Sequence, residues 1–138
     1  MKKNFNVGQS NELLMAGKIY DIHNNYAFSS LLVMKNFTEL SFEPDREWGA
    51  GEPLITITFY RVKHFTLSDK FAVSDISHFE EVGYKGPDDQ NLDFISGEQH
   101  ADETSHLLFR FGSDQVIRIW AERALLSECQ RGSARLGS

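Results

Sequence analysis

The sequence predicts an all-β fold: an antiparallel β-sandwich or flattened barrel of about eight strands, with room for one short helix. Three observations lead there. Residues 105–126 alternate apolar and polar on both sides of a Gly112-Ser113-Asp114 cluster, with Leu107, Phe109 and Phe111 on one arm and Ile117, Ile119 and Ala121 on the other. Period-two alternation about such a cluster marks a half-buried hairpin. Eleven Phe and four Tyr in 138 residues suit pleated sheets better than bundles. Finally, no long stripe of 3.6-residue period, heptad or internal repeat runs through the chain.

The elements follow in order. Residues 1–10 are polar and expected to be loosely held, with Phe5 and Val7 available to tack them to the body. Ser10 is placed to cap a helical turn through Glu12, Leu13 and Leu14. A strand is expected at 19–23, a tight turn at Asn24-Asn25, and a second strand in the apolar run 26–34, which could equally be a short buried helix. Asn36 marks a further turn before 37–42, where Thr38, Leu40 and Phe42 alternate with Glu39 and Ser41. Residues 43–53, with Pro44, Gly49, Gly51 and Pro53, read as a loop. Residues 54–65 read as a strand with Ile55, Ile57 and Phe59 on one face. One or two weaker strands are expected in 71–84, a turn at Gly86-Pro87-Asp88-Asp89 and a brief pairing at 92–95. The long hairpin closes the fold, and residues 127–138 are expected to form a flexible tail.

The length is that of one domain, 1–138, able to bury roughly two-thirds of its unfolded surface. The single Cys129 precludes an intramolecular disulfide. Met1-Lys2-Lys3 resembles the start of a secretory signal, but Asn4, Asn6 and Gln9 to Glu12 interrupt any apolar core, so a soluble cytoplasmic protein is expected. The net charge of −6 argues against nucleic acid unless folding gathers the scattered Lys and Arg into a stripe, and no membrane is expected because no run approaches the apolar length needed to span a bilayer.

Chemistry is sparse. The acidic window 88–106 holds Asp88, Asp89, Asp93, Glu98, Asp102 and Glu103 with no Lys or Arg. Asp89-x-Asn91-x-Asp93 imitates the opening of a calcium loop, yet Phe94 stands where that loop needs Gly and His100 where it needs Glu. His23, His64, His78, His100 and His106 show no zinc-ligand spacing, and Gly-x-Ser-x-Gly and glycine-rich phosphate loops are missing. Glu80 and Glu81, adjacent on a strand, would face opposite ways. No metal, no cofactor and no catalytic residue is therefore expected. Trp48 is expected to fold back over one end of the sandwich, or else to anchor an interface. Trp120, with Arg118 and Val116 on the second face of the hairpin, offers a contact surface or a cross-strand pair with Leu108. A long sheet edge also invites dimerisation.

The run Ile55-Thr-Ile-Thr-Phe-Tyr-Arg-Val-Lys-His-Phe65, with His106-Leu-Leu-Phe-Arg-Phe and Ile117-Arg-Ile-Trp-Ala-Glu, resembles small bacterial β-rich proteins of the toxin-immunity or mobile-element-cargo kind. The resemblance lies in strand rhythm and implies a cytoplasmic, non-catalytic protein that acts by binding. The residues thus point to a non-enzymatic binding protein, or a homodimer, touching a basic protein through Asp93, Asp102, Glu103, Trp48, Arg118 and Trp120. The alternative is a small molecule in an apolar, aromatic-lined cavity.

Overall fold

The computed structural model describes residues 1–76 and 79–129. Its main sheet contains β5 (Tyr26–Val33), β6 (Phe37–Pro44), β7 (Leu54–Leu67), β10 (Gln115–Cys129), β9 (His106–Phe111) and β8 (Phe79–Lys85), adjacent in that order and antiparallel. β1 (Lys2–Lys3) adds a short parallel pairing with Arg123 and Ala124 of β10. A smaller antiparallel sheet joins β2 (Asn6–Val7), β3 (Leu13–Met15) and β4 (Lys18–Tyr20). The all-β, sandwich-like expectation holds, and the described residues contain only single 3-10 turns, at Val73–Asp75, Glu98–His100 and Gly112–Asp114.

The alternating faces meet inside. Leu40, Phe42, Ile55, Ile57, Phe59, Leu107, Phe109, Phe111, Ile117, Ile119 and Ala121 are all fully buried. The sheet curls until its two ends touch across this core: Phe28 of β5 lies 4.9 Å from Phe111 of β9, and Phe42 of β6 meets Phe79 of β8 edge-on at 6.1 Å. Such aromatic pairs contribute about 1 kcal/mol each beyond their burial. β5 is the open margin of the sheet, with a strand partner only on its β6 side among the described residues. Leu32, Val33 and Met34 there are about half exposed.

Several local expectations are corrected. The N-terminal ten residues are not loose: Phe5 and Val7 are buried, and the Asn4 side chain bonds both backbone groups of Leu126, donating to its carbonyl (2.9 Å) and accepting from its N–H (2.7 Å). Asn4 thus continues the β1 ladder with an amide side chain in place of backbone. Ser10 caps no helix, because Asn11 is left-handed (φ 61°) and turns the chain into a β2–β3 hairpin. The Asn24-Asn25 pair does not join neighbouring strands: β4 pairs with β3, and Asn25 N–H closes a turn onto the Asp21 carbonyl. The strand expected in the apolar run 26–34, by contrast, is present as β5, and the helix that the run also allowed is not formed. The brief pairing expected at 92–95 falls instead at Ser96, bridged to Tyr84. Ser127–Cys129, assigned to the tail, complete β10 opposite Thr56–Leu54; residues 130–138 and His78 lie outside the described residues.

β10 is the spine of the fold and changes partner along its length. Gln115–Ile119 pair with β9, whereas Arg123 and Ala124 pair with β1. On its other side β7 follows throughout, with one irregularity: Trp120 faces His64 while Ala121 faces Val62, so Lys63 is unopposed. Arg61 beside it is left-handed, φ 56°. An extra residue of this kind bends the strand and resets which side chains face in. Beyond this irregularity, across from Arg61, the buried set on β10 moves from Ile117, Ile119 and Ala121 to Ala124 and Leu126.

Candidate functional site

An open groove of about 1090 Å³ lies beside the bend. The outer face of β7 and β10 presents Tyr60, Arg61, Lys63, Trp120, Glu122 and Arg123 to it. The β5–β6 turn, with Met34, Lys35 and Phe37, forms a second wall, and Lys2 with Glu103 and Thr104 a third. Phe37, Tyr60 and Arg123 lie in one cross-strand row on β6, β7 and β10. The Arg123 guanidinium rests over the Tyr60 ring, 5.0 Å from its centre, a cation–π contact that fixes the charge against the sheet. The groove gathers five of the fourteen basic residues, Lys2, Lys35, Arg61, Lys63 and Arg123, but only two of the twenty acidic ones. Only Arg61 and Glu122 pair among them, at 3.6 Å and well exposed, which neutralises little. A chain of net charge −6 therefore folds to display a cationic, aromatic groove.

The acidic window serves a different purpose. Residues 86–105 form a strap across the outer face of β8, β9 and β10. Arg118, expected at a contact surface, is buried beneath it: its guanidinium donates to the carbonyls of Asp89 (2.7 Å) and Gly86 (2.8 Å), and its Nε to His106 Nδ1 (2.9 Å). His106, Leu108 and Val116 are buried too, so this second face of the hairpin is covered structure rather than free surface. Arg110 holds the strap at the Leu92 carbonyl and pairs with Glu81 at 2.9 Å. The strap approaches so closely at Gly83 that a Cβ there would sit 2.8 Å from the Ser96 carbonyl oxygen.

His106 stacks on His64, ring centres 4.4 Å apart. Burial, then the Arg118 charge, then His64 push the His106 imidazole down to about 4; burial and Arg118 lower His64 in the same way. Because Nδ1 of His106 accepts a hydrogen bond from the Arg118 Nε–H, its ring is neutral with hydrogen on Nε2. His64 Nε2 is buried without a hydrogen-bond partner in the described structure.

Of the strap's carboxylates Glu98 alone is partly buried; Asp88, Asp89, Asp93, Asp102 and Glu103 are exposed. Glu98 accepts from the Val7 N–H (2.8 Å), the Tyr84 hydroxyl (2.7 Å) and Lys3 (3.1 Å). Burial alone would raise its carboxyl, but these three donors hold it below its ordinary value. Asp89 accepts from the Asn91 N–H and pairs with Lys85, while Asn91 in turn accepts from the Asp93 N–H. The calcium-loop imitation is thus a series of Asx turns, with side chains spent on their own backbone. Asp102 is held low by the Thr104 hydroxyl and N–H and by Ser105. Among the described residues no three His, Cys, Asp or Glu side chains form a metal-binding group.

Of the residues expected to make contacts, the structure brings Trp120 and Glu103 together. The indole N–H donates to the Glu103 carbonyl at 2.9 Å, and both line the groove. Trp120 pairs across the strands with His64, and Leu108 faces Arg118 instead. Asp102 sits one residue from the groove, and Asp93 is exposed on the strap away from it. Trp48 does not plug the sandwich. It stands 73% exposed in an Asx turn around Asp45 and does not line the groove. Tyr60, Lys63, Arg123, Lys2 and Lys35 were not anticipated, being scattered over the sequence. The one local hint is Tyr-Arg-Val-Lys at 60–63, where two cations flank an aromatic strand. No family model, curated protein or solved structure matches the chain. No helix among the described residues is long and apolar enough to cross a membrane.

Proposed function

We propose that this chain is a non-enzymatic cytoplasmic binding protein whose contact surface is the groove around Trp120, and that it acts by holding a protein partner there. The observation that carries this reading is the convergence of five cations and three aromatic side chains, from β1, the β5–β6 turn, β6, β7 and β10, on one open groove. Aromatic and Arg side chains anchor interfaces because they bury large areas at small entropic cost. The acidic strap contributes one wall of this surface, Glu103 and Thr104, and tethers Trp120 through the Glu103 carbonyl. The likeness in strand rhythm to toxin-immunity proteins implies the same mode of action, capture without transformation.

The small-molecule alternative loses its main support, since the phenylalanines that suggested an aromatic cavity pack on one another in the core. The test is capture of a stoichiometric partner from host lysate by wild type, Trp120→Ala, and an Asp93→Asn control on the strap. Retention by wild type and the control but not by Trp120→Ala is expected. A partner lost only with Asp93→Asn would overturn the reading and return the strap to the role of contact surface.

A further inference from the structure

We propose that the groove receives an acidic segment of the partner in which carboxylates alternate with apolar side chains, an inference that rests on the groove being the contact surface. Charge complementarity argues it first. Lys2, Lys35 and Lys63 make no ion pair with any described residue, and Arg61 is 77% exposed beside Glu122. Three ammonium groups and two guanidinium groups thus face one opening against the carboxylates of Glu103 and Glu122, while Glu98, Asp89 and Asp102 of the neighbouring strap are bonded elsewhere. A partner carboxylate can take paired hydrogen bonds from Arg123, whose plane is already fixed on Tyr60, so little side-chain freedom is lost on binding.

The apolar component comes from the same walls. Met34 is half exposed, and Phe37, Val62 and Tyr60 are partly exposed among the cations. A ligand of charge alone would leave these groups in water, whereas an interleaved Leu or Phe would cover them.

Single-stranded nucleic acid is the competing polyanion, and the geometry favours it less. Base stacking needs open ring faces, but Arg123 occupies a face of Tyr60 and the Trp120 indole is tethered to Glu103. A phosphate chain running beyond the groove would also meet a molecule of net charge −6, whereas a short acidic segment ends where the cations end.

Only two Trp exist, so Trp48→Phe leaves Trp120 as the sole indole, inside the groove. In that background we would follow Trp120 emission during titration with a Glu-Leu repeat peptide, its Gln-Leu counterpart and a short oligo-dT. Saturable change is expected with the Glu-Leu peptide, weakened about tenfold or more by Lys63→Gln with Arg123→Gln and weakened again by added salt. Equal binding of Gln-Leu, tighter binding of oligo-dT, or no response to Glu-Leu would overturn the proposal. Lysate capture that requires Trp120 but ignores both charge substitutions would leave the contact surface standing and refute the acidic occupant.

Discussion

Lowering the pH from 7 to 5 should destabilise the fold through His106, and the size of the effect follows from its surroundings. In the unfolded chain this imidazole takes up a proton near its ordinary value of 6.5; in the fold, burial, Arg118 and His64 hold it down to about 4. The native state therefore binds fewer protons than the unfolded state between those limits, and stability falls as pH falls through that window. Linkage over the full window gives about 3 kcal/mol, of which about 2 kcal/mol is lost by pH 5. His64 adds in the same direction. The carboxylates held low, Glu98, Asp89 and Asp102, lose their contribution only at more acid pH, so the two groups of residues separate on the pH axis. Urea unfolding at pH 7, 6 and 5 measures it, with His106→Asn as comparison because its amide oxygen can still accept from Arg118 without titrating. A wild-type stability unchanged between pH 7 and 5, or an equal slope in His106→Asn, would refute the assignment of a neutral, Arg-bonded His106.

Two further substitutions probe the architecture. Gly83→Ala forces a methyl group against the Ser96 carbonyl, 2.8 Å away, and should cost about 1–3 kcal/mol while increasing amide exchange at Ser96. Asn4→Ala removes both bonds to Leu126 and should cost about 1–2 kcal/mol, read as a lowered melting temperature, with the 1–3 pairing fraying first.

What could be read in the sequence was the inner face. Ile55, Ile57 and Phe59, or Leu107, Phe109 and Phe111, announce their burial because a pleated strand sends every second side chain the same way and the core accepts only apolar ones. The outer face was misread for a matching reason. Arg118 and His106 look like solvent residues in a period-two pattern, and nothing local says that Asp89 and Gly86 will return as carbonyl partners 29 and 32 positions away. The groove was hidden twice over. Its cations come from four segments, and its shape depends on Lys63 and the left-handed Arg61, a bend that no propensity announces in a run as strand-like as Ile-Thr-Ile-Thr-Phe-Tyr.

The open margin of the sheet bears on how the molecule behaves in a crowd of its own kind. From Tyr26 to Met34 the chain carries not one charged side chain, and β5 has none of the inward lysines or prolines that usually blunt a bare strand. Edge-to-edge pairing is opposed by the long-range repulsion between whole molecules of charge −6. That repulsion vanishes near pH 5.3, where the net charge passes through zero. The colloidal stability of this protein is thus delegated to surfaces remote from the strand that needs it, and mild acid withdraws it in the same pH range in which His106 loosens the fold.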